Sequence, residues 1–117
     1  MSLVRLATAA VLLALAAAAP VAAAPPKLVG TVGPGFTISV AKGGKKVTTL
    51  KAGTYVLVVT DRASSHDFHI SGPGLNKVVT STPFVGKKTV TLKLKKGTYR
   101  YRCDPHAAFM HGSFKVV

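Results

Sequence analysis

Three kinds of metal-binding side chain lie close together in the segment 103–111. Cys103 offers a thiolate, His106 an imidazole and Met110 a thioether. Thiolate and thioether sulfur atoms are soft ligands that select copper, and imidazole suits copper as well. Two imidazoles, one thiolate and a weak axial thioether form a copper site for electron transfer. The segment therefore predicts such a site, with a second histidine supplied from elsewhere in the chain.

The segment 64–70 offers that second histidine. If it forms a strand, its side chains alternate between two faces, and His66 shares the apolar face with Phe68 and Ile70. Asp67 and His69 then fall on the opposite face. His66 is therefore the predicted inward metal ligand, and His69 is the second choice.

Met110 and His111 compete for the axial position of the predicted site. Met110 is the predicted axial ligand, although methionine also commonly fills gaps in a protein core. His111 is expected on the surface, on the opposite side of the strand from Met110. Its imidazole replaces the thioether only if the short loop twists.

Cys103 has two other interpretations. Alone, it would be a small buried hydrophobe, and beside His106 it could be activated as a catalytic thiolate. The sequence indicates neither a substrate cleft nor the oxyanion donors that acyl transfer requires, so we expect no enzymatic activity. The presence of Met110 nearby and of a histidine elsewhere in the chain favours metal binding over both interpretations.

The elements that position these residues are predicted to be β-strands. From Lys27 onward, short β-branched or aromatic runs alternate with breaks rich in Gly, Pro, Asn and Lys, and no helical periodicity is sustained. Tyr99, Tyr101 and Cys103 alternate with two arginines, which predicts that Cys103 points inward. The pattern indicates an all-β sandwich. The candidate strands are 28–32, 36–41, 46–50, 54–61, 66–71, 78–80, 88–94, 98–103 and 112–117.

A signal peptide is predicted ahead of this domain. Arg5 is followed by an apolar run at 6–19, which is shorter than the roughly 20 residues that a membrane-spanning helix needs. Small residues follow this run, and we expect cleavage near Ala23. The predicted organisation is a signal peptide at 1–23 and one domain at 24–117, in an exported protein.

The predicted domain resembles the cupredoxins, the small blue copper proteins that include plastocyanin, pseudoazurin and azurin. The resemblance covers almost all of it. Cys-x-x-His resembles the plastocyanin spacing, and His-x-x-x-Met resembles that of azurin. The residues that carry the resemblance are His66-Asp67, Tyr99-Arg100-Tyr101-Arg102-Cys103, His106 and Met110-His111-Gly112-Ser113-Phe114.

The resemblance implies a single Greek-key β-sandwich of about seven or eight strands. It also implies one type 1 copper ion, held by His66, Cys103, His106 and Met110. In the family, the edge of the loop histidine reaches the surface within an apolar patch. The implied electron-transfer surface around His106 is therefore Ala107, Ala108 and Phe109.

One position departs from the family pattern. The first histidine ligand is usually followed by Asn, whose amide helps to join the two ligand loops, whereas this chain has Asp67. An ionised aspartate accepts hydrogen bonds but cannot donate them. We therefore expect Asp67 to act only as an acceptor there.

The charge of the chain concerns its partners more than its fold. Lys and Arg number 16 against 3 Asp and Glu, which gives a net charge of +13. So few carboxylates exclude an acidic calcium site. We expect acidic redox proteins as partners, with anionic lipid or cell-wall surfaces as further candidates, no nucleic acid, and a monomer. The lysines cluster at predicted turns and strand margins, at Lys42, Lys45, Lys46, Lys87, Lys88, Lys93, Lys95 and Lys96.

The predicted function is the carriage of single electrons between redox partners by an exported type 1 copper protein, through the Cu(II)/Cu(I) couple. One alternative is copper binding for storage, delivery or sensing, without electron-transfer turnover. The other is a metal-free cationic sandwich that binds polyanions. The two copper functions use the same ligands and differ in whether the bound copper is reversibly reduced.

Overall fold

The structure is a computed structural model, and it describes residues 1–4, 7–15, 19 and 23–117. The regular structure of these described residues consists of ten strands and one short 3-10 turn at Asp104–His106. The strands are β1 (Lys27–Val32), β2 (Ile38–Lys42), β3 (Lys45–Lys46), β4 (Thr49–Leu50), β5 (Gly53–Asp61), β6 (Phe68–Gly72), β7 (Leu75–Thr80), β8 (Gly86–Leu94), β9 (Gly97–Arg102) and β10 (His111–Val116).

The strands form two five-stranded sheets, and the core lies between them. The first sheet has the order β3-β2-β1-β5-β8, and the second has the order β4-β10-β9-β6-β7. The predicted all-β sandwich is confirmed. Eight of the strands have five residues or more, which agrees with the predicted number, while β3 and β4 have two residues each.

Alternation along the strands explains how the sheets bury their inner faces. In β9, Tyr99 and Tyr101 are buried while Arg100 is exposed, and Cys103 continues the inward series just past the end of the strand. The inward orientation predicted for Cys103 is therefore confirmed. The ring of Tyr101 crosses directly over Gly112 in β10, where any Cβ atom would overlap it.

The predicted strand 46–50 is wrong, because the chain changes sheets within it. β3 pairs with β2 in the first sheet, whereas β4 pairs with β10 in the second. Buried Val47 lies at the crossing, and its N–H donates to the carbonyl of Val40. Since both halves are short and extended, the sequence pattern does not separate them.

Three loops meet at one end of the sandwich. β1 and β5 run parallel and finish side by side, where Val32 pairs with Asp61. β9 finishes beside the beginning of β6, where Arg102 pairs with His69. The connections that follow β1, β5 and β9 therefore share this end, and two of them carry the predicted metal ligands.

The predicted signal peptide contributes no regular secondary structure among its described residues. Those residues are all exposed, and the first strand begins at Lys27. Within the described part of the chain, no helix has the length and apolarity needed to cross a membrane. Arg5 and part of the predicted apolar run lie outside the described residues, so the signal peptide stays a prediction.

Candidate metal centre

Each predicted equatorial ligand lies in a loop rather than in a strand. His66 follows a tight turn and precedes β6, which begins at Phe68 instead of the predicted position 66. Cys103 comes directly after β9, and His106 ends the 3-10 turn in which Pro105 occupies an early position. The N–H of His106 donates to the carbonyl of Cys103 at 3.0 Å, so the turn folds His106 back toward the thiol.

Three donor atoms converge at this end of the sandwich. The Nδ1 atoms of His66 and His106 are 3.2 Å apart. The Sγ atom of Cys103 lies 3.7 Å from the first of them and 3.5 Å from the second. Cys103 and His66 are buried, while His106 is partly exposed. Among the described residues these three form the only cluster of His, Cys or acidic side chains that could hold a metal ion.

The size of this triangle matches a single trigonally coordinated ion. Metal–nitrogen bonds of about 2.0 Å and metal–sulfur bonds of about 2.3 Å, separated by about 120°, place two nitrogen atoms about 3.5 Å apart and nitrogen and sulfur about 3.7 Å apart. The observed distances of 3.2, 3.7 and 3.5 Å lie close to these values. The three residues could therefore hold one copper ion.

A backbone carbonyl fixes the orientation of His66. Its Nε2–H donates to the carbonyl of Gly35 at 2.7 Å, and its Nδ1 is directed toward Cys103. Gly35 lies in the β1–β2 loop at φ 66°, a conformation that favours glycine. The sequence prediction missed this acceptor because a backbone carbonyl carries no side-chain signature. In the sequence, only the run Gly33-Pro34-Gly35 indicated that a turn brings this backbone acceptor into place.

The buried sulfur of Cys103 receives a hydrogen bond from one backbone N–H group and lies near a second. Burial raises the pKa of the thiol, whereas the N–H groups of Asp67 and His106 lower it by stabilising the thiolate. The N–H of Asp67 lies 3.4 Å from Sγ. A metal cation at the three donors would supply the remaining compensation, since bound thiols are deprotonated.

Asp67 joins the two ligand loops through its side chain. Its Oδ1 accepts a hydrogen bond from the N–H of Asp104 at 2.6 Å. The expectation that Asp67 acts as an acceptor is confirmed, but its outward orientation is wrong, because only 7% of the residue is exposed. The cause is that Asp67 precedes β6, so strand alternation does not apply to it. Burial raises the pKa of its carboxyl group.

His69, the second-choice ligand, belongs to a different polar cluster. Its Nδ1 pairs with the carboxylate of Asp104 at 2.9 Å, and its Nε2 lies 2.5 Å from Oδ1 of Asn76. The Nε of Arg102 donates to the same carboxylate at 2.7 Å. Burial alone would raise the pKa of Asp104, but the hydrogen bonds from Arg102 and His69 outweigh it and hold that pKa at about 2.

The two axial candidates differ in burial. Met110 is fully buried, and its backbone closes the ligand loop: its N–H donates to the carbonyl of His106, and its carbonyl accepts from the N–H of Cys103. His111 is exposed at the start of β10, and its Nδ1–H donates to the carbonyl of Ala107 at 2.9 Å. The geometry therefore favours Met110 over His111 as a neighbour of the donor triangle.

An aromatic surface covers the outer side of His106. The rings of Phe36 and Phe109 are 5.0 and 5.7 Å from the imidazole, and 5.2 Å from each other. Both phenylalanines are more than half exposed, and the neighbouring Ala107 and Ala108 are exposed as well. Phe36 was missed by the sequence prediction. An aromatic side chain in a glycine-rich loop was the signal that could have found it.

Comparison with known proteins supports this interpretation of the site. A family model of copper-binding proteins, the plastocyanin/azurin family, matches residues 35–117. The chain belongs to this family. With the His66, Cys103, His106 and Met110 set, it is a blue copper protein whose site fits a single type 1 copper ion.

Solved structures show the same fold. A reduced rusticyanin is similar at 26% sequence identity, with 78% of this chain and 78% of that chain covered and a TM-score of 0.51. A reduced amicyanin variant is 19% identical, with 81% and 86% covered and a TM-score of 0.52. The cupredoxin fold expected from the sequence is confirmed by these likenesses. Among curated protein sequences, none matches this chain.

Substitution of Asp67 tests the link between the ligand loops. Asp67→Ala leaves the partly buried N–H of Asp104 without this acceptor, and we expect it to lower the free energy of unfolding by about 1–3 kcal/mol. Asp67→Asn keeps an acceptor oxygen and removes a buried charge, so its effect stays within about 1 kcal/mol. Urea unfolding of the copper-loaded variants measures both. Equal losses for Ala and Asn would contradict the role of the acceptor oxygen.

Alanine substitutions of three histidines test the ligand set. His66→Ala removes a donor of the triangle and should lower copper affinity by more than the roughly 10–100-fold that losing an outer hydrogen-bond partner costs. His69→Ala and His111→Ala should bind copper with the wild-type visible spectrum, because neither imidazole lies in the triangle. Copper titration followed by absorption distinguishes them. Loss of colour in His111→Ala, but not in His66→Ala, would overturn the assignment.

Proposed function

We propose that this protein carries single electrons between redox partners. The observation that carries the proposal is the donor triangle, whose size fits one copper ion and whose one partly exposed member, His106, connects it to the surface. His66, Cys103 and His106 are the proposed equatorial ligands, and Met110 is the proposed weak axial ligand. No chemical conversion of a substrate is part of this function.

The proposed ligands are held rigidly by the rest of the chain. Bound copper supplies a one-electron Cu(II)/Cu(I) couple. His66 is fixed by the Gly35 carbonyl, and Cys103 by the N–H of Asp67. Because these contacts do not involve the metal, the donor atoms keep one arrangement in both oxidation states. Little reorganisation then accompanies each electron, which favours carriage over release of the ion.

The aromatic surface around His106 is the proposed route for electrons. Phe36, Ala107, Ala108 and Phe109 form an exposed apolar patch against the only ligand that reaches the surface. Two proteins that bring such patches together exclude water and bring their redox centres close. The patch contains no charged side chain, so orientation must come from charges elsewhere on the molecule.

The net charge of +13 favours acidic redox proteins as partners. Long-range attraction increases the rate of encounter with acidic partners and weakens with salt. We also propose that residues 1–23 are removed on export and that residues 24–117 function outside the cytoplasm as a monomer. The strands begin at Lys27, which is compatible with this boundary.

A redox-active relative supports the proposal. Rusticyanin, 26% identical to this chain, is a copper protein whose reduced form has been solved. Storage or delivery of copper remains the competing function, since it would use the same ligands. An electron carrier differs from it in being reducible and reoxidisable without losing its ion.

Copper loading, absorption and electron paramagnetic resonance test the proposal. We expect the copper-loaded protein to be intensely coloured as Cu(II), to bleach on reduction and to recover through repeated cycles with its copper retained. Cys103→Ala should bind no coloured copper, because the thiolate that gives the colour is absent. Colour that is lost together with the ion on reduction would favour copper delivery, and a copper-free, colourless protein after loading would overturn both functions.

A charge placed in the aromatic surface tests the electron route. In self-exchange, Phe109→Lys sets two added ammonium groups against each other, and like-charge contacts cost several kcal/mol. We expect self-exchange, measured by nuclear magnetic resonance line broadening, to slow by at least about tenfold with an unchanged visible spectrum. Val117→Lys adds the same charge on an exposed residue at the opposite end of β10. Equal slowing in both variants would contradict this route.

A further inference from the structure

A basic cavity lies on the outer face of the second sheet, beside the ligand loop. Its volume is about 310 Å³, which is within the range of small-molecule sites. Arg100 and Arg102 of β9 line it together with His111 and Ser113 of β10, and Ala107 of the ligand loop closes one side. Neither the donor triangle nor the aromatic surface uses these four polar side chains.

Strand register explains why the four polar side chains share one face. In the antiparallel β9–β10 pair, Arg102 lies opposite His111 and Arg100 lies opposite Ser113. Residues opposite each other project to the same side of a sheet, and so do residues two apart along a strand. Tyr101 and Gly112, between them, face the core. The four polar side chains therefore project from neighbouring positions on a backbone that the hydrogen bonds between β9 and β10 hold in place.

The cavity presents hydrogen-bond donors and positive charge. A guanidinium group only donates, and hydroxyl and imidazole groups can donate as well. Of the described residues that line the cavity, none is acidic. Asp104 pairs with Nε of Arg102 from outside the lining, while Arg100 takes part in none of the ion pairs among the described residues. The guanidinium of Arg100 is therefore available to an anion.

An anion in this cavity would lie close to the metal ligands in sequence and in space. Arg102 precedes Cys103, Ala107 follows His106, and His111 follows Met110. Three of the lining residues are thus next to a proposed ligand in the chain. A negative charge there stabilises the more positive oxidation state of the metal centre and lowers its reduction potential. By linkage, the oxidised protein must bind the anion more tightly than the reduced protein.

We propose that the cavity lined by Arg100, Arg102, His111 and Ser113 binds a tetrahedral oxyanion of the inorganic phosphate class. The bound anion lowers the reduction potential of the metal centre. Guanidinium forks match the paired oxygen atoms of phosphate, and the hydroxyl of Ser113 supplies a further donor. Anion binding is independent of the proposed electron carriage. Only its effect on the reduction potential rests on that function.

Phosphate titration of the copper-loaded, reduced protein tests the site. The titration is followed by nuclear magnetic resonance, with sodium chloride replaced so that ionic strength stays constant. We expect saturable shifts at Arg100, His111 and Ser113, and at least about fivefold weaker binding in Arg100→Gln, which removes one charged donor. Lys93→Gln removes the same charge from an exposed position in β8 of the other sheet and should leave binding within about twofold.

The reduction potential supplies the second measurement. In the wild type and in Lys93→Gln, saturating phosphate should lower the potential, with binding to the oxidised protein about two- to tenfold tighter. Arg100→Gln should show little of this shift. Non-saturating shifts, or equal losses in the two variants, would overturn the anion site. A coloured, reversible protein without phosphate binding would overturn this inference alone, whereas phosphate binding to a colourless protein would overturn electron carriage alone.

Discussion

The buried sulfur of Cys103 imposes the constraint on which the rest of the site depends. A thiolate inside an apolar sandwich is costly unless positive charge and hydrogen-bond donors face it. The N–H of Asp67 lies 3.4 Å from this sulfur, and the Nδ1 atoms of two histidines lie 3.5 and 3.7 Å from it. A cation held by this sulfur and the two imidazole nitrogen atoms would complete the compensation. The three loops at this end of the sandwich can be understood as the parts that bring those groups to the sulfur.

A second set of contacts fixes the groups that face the sulfur. His66 is oriented by the carbonyl of Gly35, and the loop of Asp67 is joined to the loop of Cys103 through the N–H of Asp104. The carboxylate of Asp104 is in turn held by Arg102 and His69 on the outer face of the sheet. An aspartate thus takes the place that asparagine usually has in the family, and one acceptor oxygen is sufficient to join the loops.

Periodicity made much of the fold predictable, and its limits explain what was missed. Alternation in β9 correctly oriented Cys103, and alternation also favoured the burial of His66. That argument was incomplete, because His66 and Asp67 precede β6 and loop geometry places them. The change of sheet within 46–50 and the carbonyl of Gly35 depend on contacts between distant segments. Such contacts between distant segments cannot be read from a single sequence.

Outward side chains of β9 and β10 give the same sheet a second face with its own chemistry. One face packs Tyr99, Tyr101 and Phe114 into the core, and the other presents arginines near the ligand loop.

X-ray absorption at the copper edge of the loaded protein tests the central claim of a shared ion most directly. We expect one sulfur atom at no more than about 2.3 Å and two nitrogen atoms at about 2.0 Å from the copper. A shell of nitrogen and oxygen atoms without a short sulfur distance would contradict it.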